Sequence, residues 1–485
     1  MSHYNYDRLS AQDASFLVFE SPNVPMHIAA TQIYRPGPLI NEAGGVDFKA
    51  IKHNIESVLH LIPRYRQKLK WIPLANMPVW VDDRDFNLEY HVRHTSLPQP
   101  GNMEQLKQLS ARIMSLQLDR ARPLWEMWVV EGLAEGGFAM VSKMHHCMLD
   151  GESGADLAQI LMSPDPKHSP PTDAPKFIPR PVPTATDLVR DEAIRRATMP
   201  FQALRSFQNF SRETADLREE VEIRFKALAK LAGYVVKGSS ETPMNGTLGP
   251  HRRCDWLTMP LADVKLVRRA LGCTVNDIVL AIVTGAVRDF LTRRLVRLDD
   301  VDFRVSAPVS VRRDEDKGHM GNKVSSWIVQ LPVAESDPLR RLEIIHEMTE
   351  ELKSSQQALG VEMMMAVAEL TPGVLLSLGA RAASGPINMI VTNVPGPQFP
   401  LYMMGNELLE SFPQVPLLEN TGLGVALFSY NGSLCWGFNA DYELLPDLDS
   451  FRKGVQTAFD ELSKAAGIHP GEADVHQLHK EPKSS

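Results

Sequence analysis

The sequence predicts a mixed α/β (α+β) protein built in two halves, and three observations carry that prediction. Helical and strand patterns interleave along all 485 residues without a regular strand–helix–strand rhythm. Between Ser163 and Pro183 there are eight prolines, at 164, 166, 170, 171, 175, 179, 181 and 183, a density that excludes helix and central strand and marks a linker. No G-x-G-x-x-G, G-x-x-x-x-G-K-S/T or G-x-S-x-G pattern occurs, so a dinucleotide fold, a P-loop enzyme and an α/β-hydrolase all lose support. The chain divides into a first lobe at 1–162, a linker with connecting helices at 163–250, a second lobe at 251–466 and a polar tail at 467–485.

In the first lobe, Ser10 is placed to cap a short helix, and 27–34 reads as a strand. Phe48, Ile51, Ile55, Val58, Leu59 and Ile62 recur at helical spacing over 47–62, as do Leu106, Leu109, Ile113 and Leu116 over 102–118. Strands are expected at 124–130 and 138–144, and a helix over 153–162. The stretch 186–237 is charged and helix-like. The second lobe opens with a strand at 253–259 and a helix at 261–271. Its best helix runs over 275–294, with Val275, Ile278, Val279, Ile282, Val283, Ala286, Val287, Phe290 and Leu291 as apolar positions. Strands are expected at 302–309, 323–331 and 387–394, and a long helix at 338–358. Asn431-Gly432 between two apolar runs signals a type I′ hairpin, and a closing helix covers 448–465. The methionine-rich segment 361–383 reads as an adaptable core helix.

Composition narrows the function. Hydrophobic residues make up 44% and charged residues 23%, enough for a large core. A net charge of −8 argues against bulk nucleic-acid binding, which needs a basic surface. The four cysteines, 147, 254, 273 and 435, form no C-x-x-C pair and no zinc-finger spacing. A reducing compartment is the expectation, with neither a signal peptide nor a run of about 18 apolar residues to span a membrane.

The chemistry centres on His145-His146-Cys147-Met148-Leu149-Asp150-Gly151. An imidazole with an ordinary pKa of about 6.5 is largely neutral at pH 7 and can accept a proton. Because side chains alternate along a strand, only one of the two histidines can face a given cavity. Asp150 can orient backbone or pair with an arginine, and Gly151 permits a tight turn. Two histidines and an aspartate could ligate a metal, but adjacent histidines lack the i, i+4 spacing of a helical metal site, and no metal is expected. Thr274-Val275-Asn276-Asp277 reads as a capping box at a helix start.

The seven-residue segment resembles the HHxxxDG signature of the CoA-dependent acyltransferase superfamily. More narrowly, the chain is similar over nearly its full length to the bacterial wax ester synthase/acyl-CoA:diacylglycerol acyltransferase family. The family's opening is matched by Leu9-Ser10, Asp13, Phe16-Leu17, Glu20 and Pro25-Met26-His27. Its PLW region is matched by Pro123-Leu124-Trp125 with Glu126 and Glu131-Gly132-Leu133. Asn276-Asp277 matches its ND motif, Pro308-Val309-Ser310-Val311-Arg312 with Gly321-Asn322 its arginine and GN segments, and Asn393-Val394-Pro395-Gly396-Pro397 its NVPGP loop.

That resemblance implies two chloramphenicol-acetyltransferase-like lobes with an active-site tunnel at their interface. It implies an O-acyltransferase moving a long acyl group from acyl-CoA to diacylglycerol, a fatty alcohol or both, with no cofactor and no covalent acyl-enzyme. His146 is then the general base, shaped by His145 and Asp150, and Asn276 supports charge on the thioester oxygen. Gly151, Asp277 and Arg312 are structural, with Arg312 pairing Asp150. Pro123, Leu124, Trp125, Asn393, Pro395 and Gly396 contact substrate. The expected location is cytoplasmic, attached peripherally to the inner membrane or to lipid inclusions. Two alternatives stay open: a condensation-type transferase that takes its acyl group from a carrier protein, and a non-catalytic lipid-binding protein.

Overall fold

The computed structural model describes residues 6–42, 44–75, 77–148, 160–168, 175–198, 239–310, 324–354 and 387–469. Asp150, Gly151, Arg312, most of the helix expected at 153–162, the bulk of 186–237, the 361–383 segment and most of the tail lie outside them.

Among the described residues, strands build three sheets. In chain order they are β1 Asp7–Arg8, β2 His27–Tyr34, β3 Gln67–Ile72, β4 Met77–Asp82, β5 Val92–Ser96, β6 Trp125–Glu131, β7 Phe138–His145, β8 Arg252–Pro260, β9 Phe303–Ser310, β10 Val324–Leu331, β11 Met389–Pro395, β12 Tyr402–Met403, β13 Asn406–Gln414, β14 Leu423–Tyr430 and β15 Ser433–Asp441. One six-stranded sheet has the order β12-β13-β2-β7-β6-β5 and the other β10-β9-β11-β14-β15-β8. A small sheet, β1-β4-β3, sits apart. The second sheet is mixed, with β11 parallel to both β9 and β14. No regular strand–helix–strand repeat could have produced it.

The first sheet carries the double histidine. Every residue of β7 is buried: Phe138–Val141 and Met144 are apolar, and Ser142, Lys143 and His145 are its polar members. Helix Phe48–Val58 contributes Ile51 and Ile55 to one core, with Trp80, Trp125 and Met140. On the other face, helix Met103–Ser115 contributes Leu106 and Ile113 against Val130, Ala139 and Val141. Its start is fixed by a capping box between Asn102 and Gln105.

In the second lobe, helix Val275–Arg293 is buried nearly all round, between its sheet and the helices Pro338–Ser354 and Leu448–Ala465. The Asn431-Gly432 turn has φ of 43° and 81°, the positive pair that a type I′ hairpin requires. Among the described residues no single helix is long and apolar enough to cross a membrane.

Two arrangements tie distant parts of the chain together. First, β13 leaves the second half of the chain and pairs antiparallel with β2, completing the first sheet. Where β13 passes β15, a Cβ on Gly437 would lie 1.7 Å from the Pro413 carbonyl oxygen, so only glycine admits that approach. Second, part of the proline-rich segment is docked. Arg180 grips Asp82 through its Nε and Nη2, and the helix at 185–198 buries Leu188 against Tyr6 and against Ile72, Val79 and Val81 of the small sheet.

Candidate active site

The end of β7 places the two histidines differently. His145 is the last strand residue, 1% exposed. His146 begins a short 3-10 turn, His146–Met148. It keeps partial exposure, although its Nδ1 is sealed from solvent. The backbone is held on both sides: the His145 N–H donates to the Leu124 carbonyl (2.9 Å) and the His146 N–H to the Met26 carbonyl (2.8 Å). The His146 ring stacks on Phe16 of helix Ala11–Phe19, with centroids 3.8 Å apart. That helix starts where Ser10 caps it, accepting from the Asp13 N–H (3.0 Å).

Burial pushes the His146 imidazolium down to about 4, partly offset by the residue's own backbone and reinforced by His145. The ring is therefore neutral at pH 7 and able to accept a proton. Cys147 is fully buried, and burial pushes its thiol well above the usual range, with Asp13 and Glu20 adding to the rise. It is a neutral neighbour and a poor nucleophile.

Behind His145 lies a polar cluster that composition and spacing did not reveal. Glu20 closes helix Ala11–Phe19, and its Oε1 lies 3.5 Å from His145 Nε2 and 3.5 Å from His27 Nε2. Arg120 donates to Glu20 Oε2 through Nε (2.9 Å) and Nη2 (2.6 Å). Burial raises the Glu20 carboxyl, but His145, His27 and Arg120 outweigh it and hold the group down at about 2, so it is an anion. Lys143, two residues before His145 on the same face, donates to the Ile113 and Leu116 carbonyls at the end of helix Met103–Ser115 (2.9 and 2.8 Å). Burial lowers its ammonium to about 8. Glu20 and His27 stood in the sequence among the family-like opening residues without a role, and nothing there singled out Arg120 or Lys143.

The PLW residues lie in the core beside the histidine strand. Pro123 and Leu124 are buried, and the Leu124 carbonyl is the one that takes the His145 N–H. Trp125 is buried too. It donates from Nε1 to the Tyr65 carbonyl (2.8 Å) and stacks on His91 at 4.6 Å. These contacts support the histidine strand from within the core.

A second group forms in the other lobe. Asn393 Nδ2 donates to Asn276 Oδ1 (2.8 Å), joining the ND and NVPGP segments. Both residues line a cavity whose walls include Leu280, Trp327, Val329 and Val391. Asp277 takes part in the capping box with Thr274, and it also accepts from Thr349 Oγ1 (2.7 Å) and His346 Nδ1 (2.8 Å). Pro395, exposed, ends β11. At Gly396 a Cβ would lie 2.4 Å from the Phe428 ring and the Ser429 carbonyl oxygen, so the loop needs glycine for packing. Among the described residues, no hydrogen bond joins Asn276 or Asn393 to His146.

Comparison with known proteins identifies the family. The family model for the wax ester synthase/diacylglycerol acyltransferase catalytic domain matches residues 9–279, and that for the family's C-terminal domain matches 320–463. The chain belongs to this family and is an acyltransferase. It is 32% identical over 468 residues to a probable diacylglycerol O-acyltransferase of Mycobacterium tuberculosis, covering 94% of this chain and 96% of that one. Among solved structures, it is similar to the wax ester synthase/diacylglycerol acyltransferase of Marinobacter aquaeolei, with TM-score 0.68, 23% identity, and 95% and 100% of the two chains covered. The fold is shared with the first condensation domain of the calcium-dependent antibiotic synthetase, at TM-score 0.56 and 14% identity over 97% of this chain and 98% of that one.

Proposed function

We propose that the protein transfers a long-chain acyl group from acyl-CoA to the hydroxyl of diacylglycerol, of a fatty alcohol, or of both. The observation that carries the mechanism is His146: neutral at working pH, held through its own N–H and that of Cys147, and stacked on Phe16. As general base it takes the proton of the acceptor hydroxyl while the oxygen attacks the thioester carbonyl. The new C–O bond forms, the C–S bond breaks, and the CoA thiolate takes the proton back from the imidazolium. The raised thiol of Cys147 supports direct transfer without an acyl-enzyme. No resident cofactor enters this scheme.

Asn276, held by Asn393 at a helix N-terminus, supports the developing oxyanion in a tunnel between the lobes. Pro123, Leu124, Trp125, Pro395 and Gly396 shape the substrate walls. The apolar cavity beside Asn276 and Asn393 suits part of an acyl chain. A cytoplasmic protein resting on the inner membrane or on lipid inclusions fits the tip of the β3–β4 hairpin. There Leu74 is fully exposed and Trp71 is 40% exposed.

The test is purified protein with palmitoyl-CoA, hexadecanol and dioleoylglycerol offered separately, with thiol release and ester product both followed. His146→Ala is expected to abolish turnover with the fold intact, and near-normal turnover would overturn the base assignment. Acyl transfer only from a phosphopantetheinylated carrier would replace the donor, and lipid binding without thiol release would replace the enzyme reading.

A further inference from the structure

We infer that Glu20 is a positioning residue of the acyl-transfer reaction, fixing the backbone on both sides of His146 through a single carboxylate oxygen. The inference rests on the reading of His146 as the base.

Two chains of contacts start at Glu20 Oε1. The first runs through His145. The Cys147 N–H donates to His145 Nδ1 (3.1 Å), so that nitrogen carries a lone pair. The ring's proton then sits on Nε2, which makes no hydrogen bond but lies 3.5 Å from Glu20 Oε1, within reach of the carboxylate's charge. The anion thus selects the tautomer, and the tautomer anchors the peptide that follows His146. The second runs through Met26, whose N–H donates to the same Oε1 (3.3 Å) and whose carbonyl accepts the His146 N–H (2.8 Å). That anchors the peptide preceding His146. One oxygen therefore constrains both backbone torsions of the base.

Glu20 is itself rigidly placed. Arg120 holds the other oxygen with two bonds, and its Nη2 also donates to the Leu17 carbonyl (3.1 Å) at the end of the helix that carries Phe16. The same helix end thus supplies both the ring that stacks on His146 and the carboxylate that sets its backbone. Orientation of a catalytic imidazole by a buried carboxylate acting through intermediates is a general device. Displacing a reacting group by about 1 Å can cost about a hundredfold in rate.

The discriminating variant is Glu20→Gln, which keeps the shape and an acceptor oxygen but removes the charge that selects the His145 tautomer. The expected result is a kcat lowered by about 10- to 100-fold with KM for palmitoyl-CoA changed by less than about twofold. His145→Gln is expected to lower kcat likewise, and adding Glu20→Gln to it to cause little further loss, because the two act in one chain. Multiplicative losses in the double variant, or wild-type kcat in Glu20→Gln, would overturn the inference. If circular dichroism shows Glu20→Gln unfolded, Glu20→Asp takes its place: the charge stays and the oxygen retreats by one methylene. A fall in kcat alone supports the positioning role, and wild-type kcat overturns it. Failure of the base reading is separate, since it would show as activity in His146→Ala, whatever the Glu20 variants do.

Discussion

At the scale of single residues, the site depends on protonation states set by burial. Because the His146 imidazolium is pushed down to about 4 from an ordinary 6.5, the base stays competent across the neutral range. The expected kcat profile is flat from about pH 6 to pH 8, with the acidic limb near pH 4; a limb centred on 6.5 would mean that the ring is solvated in solution. The same shift carries a sign for stability. Between about 4 and 6.5 the unfolded chain binds the proton that folded His146 refuses, so stability falls as pH drops through that window. His27, lowered well below its ordinary value by burial and by Lys143, acts in the same direction. The sequence made the histidine pair legible because the HHxxxDG spacing is local. Arg120 was not legible, because its partner Glu20 lies a hundred residues away and only folding brings them together.

At the scale of elements, local signals read well wherever a helix or strand carries its own punctuation. Ser10, Thr274 and Asn431-Gly432 each start or turn an element where the sequence expected. Helices 261–271 and 448–465 lie where the sequence predicts them. What escaped were β3, β4, β5 and β13, with the two-residue strands β1 and β12. Strand β13, Asn-Glu-Leu-Leu-Glu-Ser-Phe-Pro-Gln, carries two glutamates and a proline that lower strand propensity, and it is a strand because β2 offers an unpaired edge. Asp277 shows how much one element boundary can hold. It satisfies the helix start at Thr274 and ties that helix to Thr349 and His346 of the next. Asp277→Ala should cost about 2–4 kcal/mol of stability in urea unfolding, from a lost cap plus a stranded buried hydroxyl. A loss below about 0.5 kcal/mol would show that the two helices are held together by their apolar contacts alone.

At the scale of the whole molecule, the lobes meet over an apolar and polar seam. Trp256 of β8 stacks on Phe412 of β13 at 5.0 Å, Lys107 pairs with Asp255, and the Arg252 N–H donates to Ser115 Oγ (3.0 Å). Gly437 allows β15 to pass the Pro413 carbonyl within this seam. Gly437→Ala should therefore destabilise the protein by about 3 kcal/mol or more, since backbone rather than a movable side chain stands in the way. Thermal unfolding would measure it, and an unchanged midpoint would mean that the strands slide apart at no cost.

The passage of β13 into the first sheet also bears on how these enzymes can be recombined. A chimaera of two relatives joined within the proline-rich segment inherits β2 from one parent and β13 from the other. Its first sheet must then be completed by a foreign strand, with the Trp256–Phe412 stack drawn wholly from the second parent. The unit that keeps the first sheet whole is discontinuous, the first half of the chain together with residues 402–414, and its new contacts fall at Trp256 and Gly437.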